Sequence, residues 1–96
     1  MVELKRKGNT KVYSDSEHLL IVKLHNTEIV KVKWNDYIVL NSGGWQTQTT
    51  KRRMNQASIE YNLGFHVYQE NYGWYVMYND IKIPFADYMV LPKEIY

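Results

Sequence analysis

Cysteine is absent from this 96-residue chain. Its absence removes a disulfide framework, a thiolate nucleophile and any thiolate metal site, and it fits a reducing compartment, with cytoplasm as the expected location. Proline occurs only at positions 84 and 92, and neither a linker, an internal repeat nor a low-complexity tract divides the chain. No apolar stretch follows the charged start MVELKRKGNTKVY, so neither a signal peptide nor a membrane span is expected. The spacings HExxH, GxGxxG and GxxxxGK[ST] are all missing, which sets aside a helix-borne zinc site, a dinucleotide fingerprint and a P-loop. His18, His25 and His66 fall at or near expected strand ends and read as surface or core residues rather than metal ligands. No paired carboxylates and no Ser/His/Asp arrangement can be recognised, so catalysis is the lesser expectation, and neither cofactor nor metal is implied.

The length suits a single domain, residues 1–96, with a real hydrophobic core. Apolar and polar residues alternate in runs separated by turn pairs. HLLIVKLH (18–25) and EIVKVKW (28–34) flank Asn26-Thr27, and Asn35-Asp36 leads into YIVLN, the pattern of a β-meander. It returns in FHVYQE (65–70), WYVMY (74–78) and IKIPF (81–85), and a short last strand is expected over 88–91. Pro84 makes the 81–85 strand an edge or ends it, because proline gives the ladder no donor. Lys31 and Lys33 lie opposite Val30 and Val32 and read as an ordinary solvated face.

Between the two strand groups the spacing of Met54, Ala57 and Tyr61 predicts one helix, from about Thr50 to Asn62, with Ser58 beside that stripe and Arg52 and Gln56 opposite. Thr49 or Thr50 can cap it, and Gly64 can close it in the left-handed conformation. A second reading ends the helix near Ser58, because Ile59, Tyr61, Leu63, Phe65 and Val67 alternate like a strand. The expected fold class is α+β: an antiparallel β-meander in one sheet or two, with one helix packed on it, in the order βββ-α-βββ.

Formal net charge is +2, which argues against a generic polyanion-coating protein. The bias is local. Setting aside Lys51, Arg52 and Arg53 leaves nine cations against ten acids, with a second small cluster at Lys5, Arg6 and Lys7. If the helix starts at the triplet, each cation there costs roughly 0.3 to 1 kcal/mol against the positive end of the helix dipole. The i+4 partners are Asn55, Gln56 and Ala57, so nothing within the helix neutralises them. Ser42, Gly43 and Gly44 can bring backbone amides close to a ligand. Thr47, Thr49 and Thr50 add hydroxyls, and Trp45 can stack on a base or close the pocket. Ser42 to Trp45, Thr47, Thr49, Thr50, Lys51, Arg52 and Arg53 are therefore the candidate site for phosphate or another compact anion. Beside it stands a structural reading, in which the triplet is solvated surface, the glycine pair a turn and Trp45 a core plug.

Nine tyrosines and three tryptophans are many for this length. In the 74–78 strand Trp74, Val76 and Tyr78 share one face, Tyr75 and Met77 the other. The second face is then expected to be covered by the helix, by a homo-oligomer partner or by a flat-ringed ligand.

The segments LHNTEIV, NSGGWQTQTTKRRMNQ and FHVYQENYGWYV resemble a family of small, uncharacterised tailed-bacteriophage proteins with the pattern SGGWxTxTTKxRMN. The similarity spans about residues 22 to 77. It implies a source, the cytoplasm of an infected host, and supplies no catalytic residue. From a phage source and the candidate site, the expected function is that of a non-catalytic accessory protein binding a phosphate-bearing ligand, nucleic acid first and a small nucleotide second. The alternative is a stoichiometric protein-protein inhibitor of a host defence or transcription system, with the Tyr/Trp surface as contact area.

Overall fold

The alternating runs form strands, and their apolar positions decide which face each sheet buries. The computed structural model describes residues 10–33 and 36–92; the Lys5, Arg6, Lys7 cluster and the turn residues Trp34 and Asn35 lie outside them. The order is β1 (Thr10–Tyr13), β2 (His18–Leu24), β3 (Thr27–Lys33), β4 (Tyr37–Leu40), α1 (Gln48–Glu60), β5 (Phe65–Glu70), β6 (Gly73–Tyr78), β7 (Ile81–Pro84) and β8 (Met89–Pro92). The strands make two antiparallel sheets, β1-β2-β3-β4-β8 and β5-β6-β7. The α+β class and the single helix between strand groups match the sequence reading. The expected βββ-α-βββ order gains β1, which lies in the charged start and was not anticipated, and the short last strand. That strand, β8, leaves its neighbours and pairs with β4, Leu40 opposite Met89 and Ile38 opposite Leu91.

Register explains the layering. Across the five-stranded sheet, Val12, Val22, Val30, Leu40 and Met89 form one row, and Leu20, Val32, Ile38 and Leu91 another. Both rows join Met54 and Ala57 of α1 and Phe65, Val67, Trp74 and Val76 of the second sheet in one hydrophobic cluster. Each fully buried aliphatic side chain there contributes about 1.5 to 3 kcal/mol. A register shift between Val22 and Lys23 lets consecutive residues Ile29 and Val30 both reach the core, as a β-bulge does.

The helix begins two residues before the expected start. Thr47, in extended conformation, is the cap, and its Oγ1 accepts from the Thr50 amide at 3.2 Å, so capping falls to neither Thr49 nor Thr50. At the other end Asn62, with φ 55°, closes the helix, and the Leu63 amide donates to the Ser58 carbonyl at 2.9 Å, the Schellman arrangement; Gly64 is left-handed as expected, with φ 85°, two residues beyond that point. The strand-like alternation after Ser58 is therefore not a strand until Phe65, and Ile59 is 81% exposed.

Asn55 and Ser58 are indifferent helix formers, and tertiary structure explains their places. β5 is an edge strand, so the outward amides and carbonyls of Phe65 and Val67 have no neighbouring strand. Asn55 donates Nδ2 to the Val67 carbonyl at 2.8 Å and accepts the Val67 amide on Oδ1 at 2.7 Å. Ser58 Oγ donates to the Phe65 carbonyl at 2.6 Å and accepts from its amide at 3.1 Å. Two helix side chains thus act as the missing strand. Arg53 also turns inward and is 7% exposed. Its Nε donates to Thr10 Oγ1 of the edge strand β1 at 3.1 Å and its Nη1 to Gln56 Oε1 at 3.2 Å.

The Trp74, Val76 and Tyr78 face of β6 joins the core shared by Met54 and Ala57 of α1 and the five-stranded sheet. The opposite face carries its own ladder of His66, Tyr68 and Tyr75, with the Lys82 ammonium 4.3 Å from the Tyr75 ring. Among the described residues no helix is long and apolar enough to cross a membrane.

Replacing Asn55 with alanine removes two hydrogen bonds and leaves a half-buried amide and carbonyl of Val67 without partners. The expected loss of stability is about 2 to 4 kcal/mol, read from chemical denaturation. A loss below about 0.5 kcal/mol would show that the helix is held by its apolar stripe alone.

Candidate functional site

The segment joining β4 to α1 is built around two consecutive left-handed glycines, Gly43 with φ 63° and Gly44 with φ 83°. Gly43 is also constrained by space, since a Cβ there would stand 2.6 Å from Thr27 Oγ1. The turn gathers amides as the glycine pair suggests, and a carboxylate of the chain itself occupies them. Asp87, in the β7–β8 connection, accepts the Ser42 amide at 2.8 Å and the Ser42 hydroxyl at 2.6 Å on one oxygen, and the Gly44 amide at 3.2 Å on the other. The Gly43 amide donates to Asn41 Oδ1 at 3.1 Å. Ser42, Gly43 and Gly44 therefore form an anion cradle that is already filled.

Four residues past Gly44, the backbone is open. Past the cap at Thr47, the Thr50 amide goes to Thr47 Oγ1 and the Lys51 amide to the Thr47 carbonyl. The amides of Gln48 and Thr49 have no partner among the described residues. No acid lies in the first turn. A hollow of about 520 Å³ lies beside this end. Ser42, Trp45, Thr47, Thr49 and Thr50 line it from the segment between β4 and α1 and the start of α1, and Leu24, the turn residues His25 and Asn26, Thr27 and Ile29 line it from β2 and β3. No carboxylate lines it. Trp45 is 68% exposed, so it is a wall of this hollow rather than a plug in the core.

The cationic triplet is not a cluster. Because α1 starts at Gln48, Lys51, Arg52 and Arg53 occupy its fourth to sixth positions, beyond the turn in which the dipole acts most strongly. Successive helical residues also point about 100° apart. Arg53 goes inward to Thr10, while the Lys51 ammonium lies 3.4 Å from Gln69 Oε1 and 5.5 Å from the centre of the Trp74 ring. Arg52 is exposed. Lys51 and Arg52 share a second hollow of about 480 Å³ between α1 and β5, with Gln56, Ile59, Tyr68 and Gln69. No carboxylate lines this groove either, and Gln48 is part of its lining. The ion pairs among the described residues, His18 with Asp15, Lys31 with Glu28 and Lys82 with Glu70, leave all three helix cations without an acid. Also among the described residues, no group of three His, Asp or Glu side chains is placed to hold a metal ion.

The structure thus brings Trp45, Thr47 and Thr49, with Ser42 and Thr50, together at one hollow and Lys51 with Arg52 at another. Gly43, Gly44 and Arg53 line neither hollow, and the hydrogen bonds of Ser42 to Asp87 and of Thr50 to Thr47 hold the frame. Sequence reasoning missed Asp87, which is 45 positions from Ser42, and the His25-Asn26 turn as the facing wall. Neither carries a motif that marks it in one sequence.

Two substitutions test this division. Asp87→Ala is expected to cost about 1.5 to 3 kcal/mol, as for hydrogen bonds to a charged acceptor, and to speed hydrogen exchange at the Ser42 and Gly44 amides; unchanged exchange would contradict the filled cradle. Arg53→Met, which keeps the volume and removes a buried charge, should hold stability within about 1 kcal/mol of the parent, as measured by denaturation; a loss above about 3 kcal/mol would mean that the guanidinium itself is required.

A family model described as Kyanoviridae Gp96 protein matches residues 2–92, while no curated protein and no solved structure matches the chain. The expected bacteriophage source agrees with that match. Since it covers nearly the whole sequence, the chain belongs to the Kyanoviridae Gp96 protein family, a family of phage proteins.

Proposed function

We propose that this protein is a non-catalytic phage accessory protein, acting in the cytoplasm of the infected host, that binds a phosphate-bearing ligand at the amino end of α1. Nucleic acid is the first choice of ligand and a small nucleotide the second. The observation that carries the reading is the pair of hollows lined by consecutive residues, one by Gln48 and the other by Thr49. There two open amides, two threonine hydroxyls and an exposed indole stand beside two unpaired cations, with no carboxylate on either wall. A phosphate at the open amides places its charge at the positive end of the helix. A base or nucleoside then has the face of Trp45 to stack on, and the next phosphate of a strand has Lys51 and Arg52. The contacting residues are Trp45, Thr47, Thr49, Lys51 and Arg52. Ser42, Gly43, Gly44, Thr50 and Arg53 hold them in position.

A second reading draws on three exposed aromatic rings, Trp45, Tyr72 at 97% and Tyr88 at 71% exposure. Large rings held in water suit a contact surface for another protein. On this reading the protein is a stoichiometric inhibitor of a host defence or transcription protein, or a homo-oligomer through its Tyr/Trp-rich strands. It predicts capture of a host protein or self-association, with no affinity for free oligonucleotide.

The ligand reading is tested by titrating labelled single-stranded DNA, RNA and a nucleotide panel. Trp45→Ala should weaken binding about tenfold, in line with roughly 1 to 3 kcal/mol for a stacked base. Lys51→Ala/Arg52→Ala should weaken it further and flatten its salt dependence. Arg53→Met should leave it unchanged. Affinity equal to the parent in both of the first two variants would refute the site.

A further inference from the structure

The five-stranded sheet buries one face under α1 and the second sheet, and no element among the described residues packs on the other. Register fixes what that open face carries. Lys11 lies opposite Lys23, and Lys23 opposite Glu28; Tyr13, Ile21, Lys31, Val39 and Val90 form the next row, and His18, Lys33, Tyr37 and Pro92 the one after. Four lysines therefore share the face with one glutamate, a larger positive surplus than the +2 of the whole chain. That glutamate is engaged within the face, 3.5 Å from the Lys31 ammonium and 3.1 Å from the Tyr13 hydroxyl. Lys11, Lys23 and Lys33 have no carboxylate partner among the described residues; Lys33 lies 5.8 Å from the centre of the Tyr37 ring.

Placing Lys11 directly across from Lys23 is unfavourable for a sheet left in water, because like charges in register repel. An anionic partner reverses the sign of that interaction. Ile21, in the middle of the face, is 2% exposed, and the exposed apolar side chains of the face, Tyr13 at 38% and Val90 at 54%, stand on opposite edge strands, so they do not join into one apolar patch fit for lipid. At the β2–β3 turn end the face runs into a third hollow of about 280 Å³, where Lys23 and Lys31 meet Asn26, Asn41 and the exposed Tyr88, with Glu28, the acid held by Lys31 and Tyr13, as its one carboxylate. The acids Asp15, Glu17 and Asp36 lie in turns at the opposite end.

We propose that this open face binds the backbone of single-stranded nucleic acid, with Lys11, Lys23, Lys31 and Lys33 neutralising phosphates and Tyr88 offering a ring to a base. A single strand fits better than a duplex, because its bases are free to stack on an exposed ring. The surface uses different residues from the α1 site. Asn26 and Thr27 border both the Trp45 hollow and the Tyr88 hollow, so one strand can pass from one surface to the other.

The test is fluorescence anisotropy with fluorescein-labelled oligo-dT and oligo-U over a series of salt concentrations. Three proteins are compared with the parent: the quadruple Lys11→Thr/Lys23→Thr/Lys31→Thr/Lys33→Thr variant, the same four positions changed to Arg, and Trp45→Ala/Arg52→Ala. Each neutralised phosphate contributes about 0.7 to the slope of log affinity against log salt for a single strand. The threonine variant should therefore bind with a slope shallower by about 2 to 3, and the arginine variant should keep the parent slope. Threonine favours strands and removes the Lys11–Lys23 repulsion, so the threonine variant should melt no lower than the parent. If it does melt lower, Lys11→Thr/Lys23→Thr alone should still flatten the slope by about 1 to 1.5.

Parent-like affinity and slope in the threonine variant would overturn the proposal, and with loss in Trp45→Ala/Arg52→Ala would leave the α1 site standing alone. The reverse pattern would support the sheet face and refute the α1 site. Binding to phosphatidylserine vesicles that depends on the four lysines, without binding to either oligonucleotide, would overturn the proposal in favour of a membrane surface.

Discussion

Two helix side chains bonded to the bare edge of a strand set the geometry of the molecule. Asn55 and Ser58 satisfy the outward backbone of Val67 and Phe65, and in doing so they fix the rotation and height of α1 against the three-stranded sheet. Met54 and Ala57 then face the five-stranded sheet, and the amino end of the helix is carried to the β2–β3 turn. Everything at that end follows from the placement. Trp45 stands over the hollow facing His25 and Asn26, Lys51 and Arg52 overhang β5, and Arg53 is driven inward to Thr10.

The electrostatics of the region reduce to which charges are answered from within the fold. The glycine cradle is answered by Asp87, so its amides brace the β7–β8 connection against the start of the helix. Arg53 is answered by neutral oxygens, an arrangement tolerable for one guanidinium with several donors to place. Lys51 and Arg52, the amides of Gln48 and Thr49, and three lysines on the open sheet face are left without a carboxylate. These unanswered charges lie on two surfaces that meet at the β2–β3 turn. An extended anion can touch both, whereas a compact one fills only the hollow at the helix end.

Much of the fold was legible because it rests on local periodicity. The strands from His18, Thr27, Phe65 and Gly73 show alternation over six or seven residues, and the Met54-Ala57 stripe marks the helix. The start of the helix was misread because Gln48 and Thr49 carry no apolar signal, which moved the cap from Thr47 to its neighbours and placed the cations in the first turn. β1 was missed because Val12 is its one aliphatic residue, and only its register with β2 gives it a core face. The site was legible only as a list of residue types. Whether Ser42 to Gly44 hold a ligand or a side chain of the chain depends on Asp87, and whether Lys51, Arg52 and Arg53 act together depends on helical phase and on what lies beside each. Both are matters of tertiary placement that a single sequence does not carry. The lysines at 31 and 33 read as ordinary solvated positions until register added Lys11 and Lys23 to the same face.

The central claim is that the open backbone at the start of α1, and not the glycine cradle before it, receives the anion. Amide chemical-shift mapping by NMR during titration with a short single-stranded oligonucleotide separates the two. The account predicts the largest changes at the Gln48 and Thr49 amides and the Trp45 indole, with Ser42 and Gly44 little moved because Asp87 holds them. Large shifts at Ser42 and Gly44 with none at Gln48 and Thr49, or no shifts anywhere, would contradict it.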